Sequence, residues 1–160
     1  MSSNPKITVY ITNFNYGCFI KDAIDSVLNQ TEQNFEIIII DDGSTDESKS
    51  IIQSYQDNSK IKIVLQNNRG LTVSNNIALK LARGKYIMRL DADDSLTLNS
   101  LEILSTTLDN KPNIGMIFGD YYIADKNNNV IEHFQRHNFS QDVKLLDQPA
   151  HGACTMFRVE

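Results

Sequence analysis

Three carboxylates, Asp91, Asp93 and Asp94, end the short apolar run that begins at Tyr86. If the extended chain continues through them, Asp91 and Asp93 point to one side, because side chains two apart on a strand share a face. Two converging hard oxygen donors make half a site for Mg2+ or Mn2+, the remainder coming from water and phosphate oxygens. A second acidic pair, Asp41-Asp42, ends the run from Phe35 to Ile40, and Thr12-Asn13 closes a third run that starts at Lys6. Acids gathered this way suit a nucleotide. A base N–H needs an acceptor, ribose hydroxyls bond carboxylates, and a diphosphate needs a cation. Asp41 is the candidate for the base, Asp91 for ribose or metal, Asp93 for the metal, and Arg69 for the base or phosphates. The expected nucleotide-binding set is therefore Thr12, Asn13, Asp41, Asp42, Arg69 and Asp91, and the expected metal set is Asp93 with Asp91.

Other readings of the same acids compete. Acids after a strand also cap helices or face solvent, although three together repel one another and call for a counter-charge. A calcium loop is a sharper rival, since Asp91, Asp93, Ser95, Thr97, Asn99 and Glu102 fall on the ligand places of an EF-hand. Against it, Leu96 stands where that loop needs glycine, and the residues before Asp91 read as a strand. The chain has no Walker A loop and no dinucleotide-binding glycine pattern. His133 and His137 lack the neighbouring glutamate of the zinc-protease pattern, and no Ser or Cys sits in a nucleophile elbow.

The elements that must position the acids follow from hydrophobic spacing. Ile7, Val9 and Ile11 alternate with polar residues, and Phe35 to Ile40 is the unbroken apolar run of a strand buried on both faces. Ile61 to Leu65 and Tyr86 to Leu90 read as two further strands. Between them lie helical stripes: Phe19, Ala23 and Val27; a helix opened by a Ser44/Glu47 capping box and running to about Tyr55; Val73, Ile77 and Leu81; and Thr97 to Leu108. Such alternation implies right-handed crossovers and a three-layer α/β/α domain with a mostly parallel sheet. Ligands of such sheets bind at the carboxyl ends of the strands, where the acids are. After Pro112, Ile114 to Ala124, Val130 to Phe134 and Ala153 to Val159 read as strands extending one edge in mixed or antiparallel fashion.

With 160 residues, 41% hydrophobic and 22% charged, the chain fits a single folded domain, 1–160. Its net charge of -5 argues against nucleic acid as a partner. Cys18 and Cys154 lack metal-ligand spacing and are expected as reduced, buried thiols. No signal peptide or membrane span is evident, so the expected location is the cytoplasm, with a peripheral position at the inner face of the membrane as the alternative.

Several stretches together resemble a known family. They are Val9-Tyr-Ile-Thr-Asn-Phe-Asn-Tyr16, Ala23-Ile-Asp-Ser-Val-Leu-Asn-Gln-Thr31, Phe35-Glu-Ile-Ile-Ile-Ile-Asp-Asp-Gly-Ser-Thr-Asp46, Asn68-Arg-Gly70 and Ala82-Arg-Gly-Lys-Tyr-Ile-Met-Arg-Leu-Asp-Ala-Asp-Asp94. In order and spacing they resemble a family 2 glycosyltransferase of the GT-A fold, and Gly152-Ala-Cys-Thr-Met-Phe-Arg158 is similar to that family's later segment. The resemblance implies that Asp91-x-Asp93 is the metal-binding DXD motif and that Asp41 holds the base. It implies an inverting enzyme that uses Mn2+ or Mg2+ and moves sugar from a nucleotide-diphospho-sugar to a glycan or lipid-linked acceptor, with polysaccharide biosynthesis as the expected setting. Residues 1–111 would form the nucleotide-sugar-binding half and 112–160 an incomplete acceptor-side half.

Two departures stand out. Ser74-Asn75-Asn76 replaces the family's Ala-Arg-Asn, which removes one phosphate-side contact. The family's general base lies downstream of the segment matched by Gly152 to Arg158, whereas Asp142 and Asp147 come too early and the chain ends at Glu160. The expectation is thus the donor-binding part of a transferase, cut short before its base. A non-catalytic nucleotide-sugar-binding fragment is the alternative. A receiver-type signalling domain is a remote one, because its first strand would end in acids and here it ends in Thr12-Asn13.

Overall fold

The computed structural model describes residues 4–125, 129–135 and 154–159. Its first half alternates as the hydrophobic spacing requires: β1 (Ile7–Asn13), α1 (Gly17–Leu28), β2 (Phe35–Asp41), α2 (Ser48–Gln53), β3 (Ile61–Leu65), α3 (Leu71–Leu81), β4 (Tyr86–Asp91) and α4 (Ser100–Asn110). Then come β5 (Met116–Phe118), β6 (Tyr121–Ala124), β7 (Val130–Phe134) and β8 (Thr155–Arg158). The main sheet runs β3-β2-β1-β4-β8-β5. β3, β2, β1 and β4 are mutually parallel, β8 is antiparallel to β4, and β5 is antiparallel to β8.

Alternation along each strand sorts the core into two layers. Ile7, Val9, Ile11, Ile37, Ile39, Met88 and Leu90 pack with Ile20, Ile24, Ile52, Leu101 and Leu108 from α1, α2 and α4. Tyr10, Ile38, Ile40 and Ile87 pack on the opposite face with Ala78 of α3. This is the three-layer α/β/α arrangement expected from the sequence. β1 is paired on both sides and β2 carries no exposed residue, which is why the Phe35 run shows no polar alternation.

Four expectations need correction. α2 starts at Ser48 and the Ser44/Glu47 capping box does not form, because the Ser44 hydroxyl is used by Asn13 and Asn15 across the loop. Asp46 takes over the entry to α2, accepting from the Ser48 N–H at 3.0 Å and from the Gly17 N–H at 2.9 Å. α4 begins three residues later than expected, at Ser100, since the loop before it is held by Ser26 of α1 and by Gln30 and Thr31 just beyond that helix. The single strand expected over Ile114 to Ala124 is two, broken around Gly119-Asp120: β5 joins the main sheet, and β6 pairs with β7 in a separate hairpin. Neither thiol is buried as expected, for Cys18 is exposed and Cys154 half-buried, and both are free. The strand before Asp91 removes the helix that a calcium loop would need.

Candidate functional site

Parallel register brings the polar strand ends together: Thr12 lies beside Asp91 and Asn13 beside Asp41. Strand alternation then divides them between faces. Asn13 and Asp41 follow Ile11 and Ile39 on the face covered by α1, α2 and α4, whereas Thr12 and Asp91 follow Tyr10 and Ile87 on the α3 face.

Asp41 is fully buried, and both its oxygens accept from the Ser44 N–H at 3.1 Å. The turn that allows this needs Gly43, whose φ is +87° and where a Cβ would lie 2.6 Å from the Asn68 nitrogen. Ser44 passes the constraint on: its Oγ accepts from Asn13 Nδ2 at 3.1 Å and from the Asn15 N–H at 2.9 Å. Asn13 Oδ1 is buried without a hydrogen-bond partner, an acceptor that a ligand N–H would satisfy. Asp42 is nearly as buried, and its oxygens accept from Gln66 Nε2 at 2.7 Å, the Arg69 N–H at 2.9 Å and the Gly70 N–H at 2.8 Å. Asp42 thereby fixes the loop that leads into α3, and it leaves the exposed Arg69 side chain at the sheet edge.

At β4 the arrangement differs. Arg89 grips Asp91 with both prongs, Nε to Oδ1 at 2.7 Å and Nη2 to Oδ2 at 2.8 Å. That bond raises the Arg89 pKa above its ordinary value, and burial pushes the Tyr10 hydroxyl beside the pair upward. The strand ends at Asp91, and the chain turns so that the Asp94 N–H donates to the Asp91 carbonyl at 3.1 Å. The expected sharing of one side by Asp91 and Asp93 therefore rested on strand geometry that stops one residue too soon. Asp93 is exposed, and no described hydrogen bond or ion pair engages it.

The loop that follows is tied to α1 and the residues after it. Buried Gln30 donates to the Thr97 carbonyl at 2.7 Å and accepts from the Leu101 N–H at 3.0 Å. The Ser26 hydroxyl accepts from the Leu96 N–H at 3.1 Å, and the Thr31 N–H donates to the Leu98 carbonyl at 3.0 Å. None of these tethers was anticipated from the sequence, nor was the Arg89 grip. The grip alone had a signal, since one cation two residues before an acid on a strand must meet it. His133 stands 3.9 Å from Asp120 in the hairpin region, while His137, Asp142, Asp147 and Glu160 lie outside the described residues.

A divalent ion fits this edge in a limited way. Among the described residues no three His, Cys, Asp or Glu side chains converge on one point. The protein can offer the exposed Asp93 carboxylate and a share of Asp91, which suits Mg2+ or Mn2+ completed by water and a ligand's phosphates.

The fold is that of the GT-A class of nucleotide-diphospho-sugar transferases. Residues 8–160 match the model of the family described as Glycosyl transferase family 2, and the chain belongs to it. Among curated relatives, it is 34% identical over 135 residues to an uncharacterised glycosyltransferase of Methanocaldococcus jannaschii, covering 82% of this chain and 47% of that protein. It is 31% identical over 128 residues to chondroitin synthase of Escherichia coli, covering 79% of this chain and 19% of the synthase. The chain thus spans less than half the length of these two relatives. Among solved structures, residues 1–349 of S. aureus TarS in complex with UDP-GlcNAc superpose with a TM-score of 0.76 at 22% identity, over 96% of this chain and 45% of that one. The Pyrobaculum calidifontis mannosyltransferase PcManGT, in complex with GDP-Man and Mn2+, gives 0.66 at 22% identity over 74% of this chain and 36% of that one.

Proposed function

We propose that this chain binds a nucleotide-diphospho-sugar with Mn2+ or Mg2+ at the carboxyl edge of its sheet, as the donor side of an inverting transferase acting on a glycan or lipid-linked acceptor. The observation that carries the reading is Asp93: an exposed, unengaged carboxylate beside one held by arginine, in a row of polar strand ends set in register. Donor binding belongs to residues 1–111, and Asp91-x-Asp93 is the DXD motif. Thr12 and Asp91 are assigned to ribose on this reading, and Arg69 to the base or phosphates. Asn13, with its unpartnered Oδ1, offers an acceptor to a base N–H. Asp41 supports that contact through Ser44 and Asn13, and Asp42 through the loop carrying Arg69. When bound, the ion supplies Lewis acidity at the departing diphosphate.

Relatives that hold UDP-GlcNAc or GDP-Man with Mn2+ support the donor class and the ion type. No helix among the described residues is long and apolar enough to cross a membrane. The test is a thermal-shift panel of UDP-, GDP- and dTDP-sugars, each with Mn2+ and with EDTA. At least one donor should raise the melting temperature only with the ion. Equal shifts in EDTA would overturn the metal dependence, and no shift with any donor would overturn the reading.

A further inference from the structure

We infer that Arg89 is a positioning residue that withholds Asp91 from a divalent cation, so that the protein binds the ion weakly until a nucleoside diphosphate arrives. The inference rests on the donor-site reading above. On β4 a residue and its second neighbour share a face, and here both guanidinium prongs are committed to both Asp91 oxygens. Tyr10 is the β1 residue in register with Arg89 and is 9% exposed, which backs the pair with an apolar surface on one side. The Arg89 carbonyl is held as well, accepting from the Cys154 N–H at 2.8 Å. The arginine is therefore fixed at both ends, and its side chain is only 20% exposed against 31% for Asp91.

A guanidinium fork matches a carboxylate more closely than an ammonium does and leaves few lone-pair positions for a metal. Charge count acts in the same direction. Three acids end this strand region, and Arg89 cancels one of them. Cation affinity of oxygen sites rises with the number of ligating charges. With Asp91 engaged and the neighbouring Asp94 charge also acting on Arg89, Asp93 is the exposed acid with no described protein partner, and so few free carboxylates hold Mg2+ or Mn2+ poorly in water. A diphosphate supplies the missing oxygens, and the expected order is joint arrival of ion and nucleotide.

The test is Mn2+ binding without nucleotide, read by electron paramagnetic resonance of the free ion, in the wild-type chain and in Arg89→Met and Arg89→Lys. Arg89→Met should bind Mn2+ roughly tenfold more tightly, because the Asp91 carboxylate is released at this edge and a repelling charge leaves. Arg89→Lys keeps the charge but holds one oxygen where arginine holds two, so about a threefold gain is expected. A purely structural role gives no gain, only loss. Unchanged or weaker Mn2+ affinity in folded Arg89→Met would overturn the inference, and Arg89→Gln serves if the methionine variant does not fold. A wild-type result for Arg89→Lys beside a gain for Arg89→Met would reduce the effect to bulk charge and overturn the positioning role. Asp93→Ala separates the two levels. If its Mn2+-dependent UDP binding matches wild type, the site reading falls. If that binding is lost while Arg89→Met shows no gain, only the role of Arg89 falls.

Discussion

Two acidic clusters end β2 and β4, the strands on either side of β1, and they are built in opposite ways. Asp41 and Asp42 are 0% and 6% exposed, and each oxygen is met by a backbone N–H or an amide. Asp93 stands in solvent with no described partner, and Asp91 is held by one side chain alone. Identical residue types at one edge thus divide between building the loops and standing open to solvent, where the proposed ligand would meet them. What separates them is the chain just after the strand. Gly43 permits a left-handed turn that brings the Ser44 N–H back onto both Asp41 oxygens, whereas Ala92, itself buried, carries Asp93 outward.

The sharpest way to break this comparison is to remove the buried acid. Asp41→Ala leaves the Ser44 N–H facing an apolar void and unties Asn13, and a cost of about 3 kcal/mol is expected. Urea unfolding measures it, and a loss below about 1 kcal/mol would show that the cluster does not hold the loops. Asp93→Ala is the converse. Its unfolding midpoint should match wild type, while Mn2+-dependent nucleotide affinity falls roughly a hundredfold, the upper end of what metal-site partners cost. Equal affinity in the variant, measured by calorimetry with and without EDTA, would end the division of labour.

Legibility followed contact range. The four parallel strands and their helices were readable because β-branched runs and helical stripes are local patterns, and the acids were readable because they end those runs. The Ser44 capping box failed for a reason no local pattern holds: its hydroxyl was claimed by Asn13 and Asn15, about thirty residues earlier in sequence. Gln30 was invisible as a site residue because its partners, Thr97 and Leu101, are distant in sequence. The edge beyond Pro112 was read as strand but not as two sheets, since a short apolar run does not announce which neighbour it pairs with.

Gln30 allows a test between the extremes. Its side chain is buried like Asp41, yet what it fixes is the loop after Asp93. Gln30→Ala should cost about 2 kcal/mol in urea unfolding, from lost hydrogen bonds and the Leu101 N–H left unpaired. It should also weaken Mn2+-dependent nucleotide binding several-fold, through a looser Asp93. Gln30→Glu keeps an acceptor for Leu101 but turns a buried carboxylate toward the Ser26 and Thr97 carbonyls, so it should weaken binding at least as much as Gln30→Ala, and wild-type binding in either variant would show that the Thr97 tether does not position Asp93.

The smallest effect concerns an acid with no place in either cluster, at the opposite end of the strands. Asp109 on α4 accepts from Lys85 Nζ and from the Tyr86 hydroxyl at 2.6 Å, and Lys6 Nζ lies 3.1 Å from its other oxygen. The Lys85 bond, then that of Tyr86, holds its carboxyl well below the ordinary carboxylate range. A carboxyl that ionises more readily when folded stabilises the fold in its charged form. The contribution is therefore present above the unfolded value of 3.8 and is lost as pH falls toward the folded one. Solvent screens the cluster, so the gain is modest. Asp109→Asn should unfold at slightly lower urea than wild type at pH 7, the two midpoints should converge as pH drops below 3.8, and Mn2+ binding at pH 7 should be unchanged. A gap that persists or widens in acid would mean that packing, not charge, holds this corner. Altered Mn2+ binding would mean that the two ends of the sheet communicate, and the contrast between structural and ligand-facing acids would then need redrawing around a sheet that is not rigid.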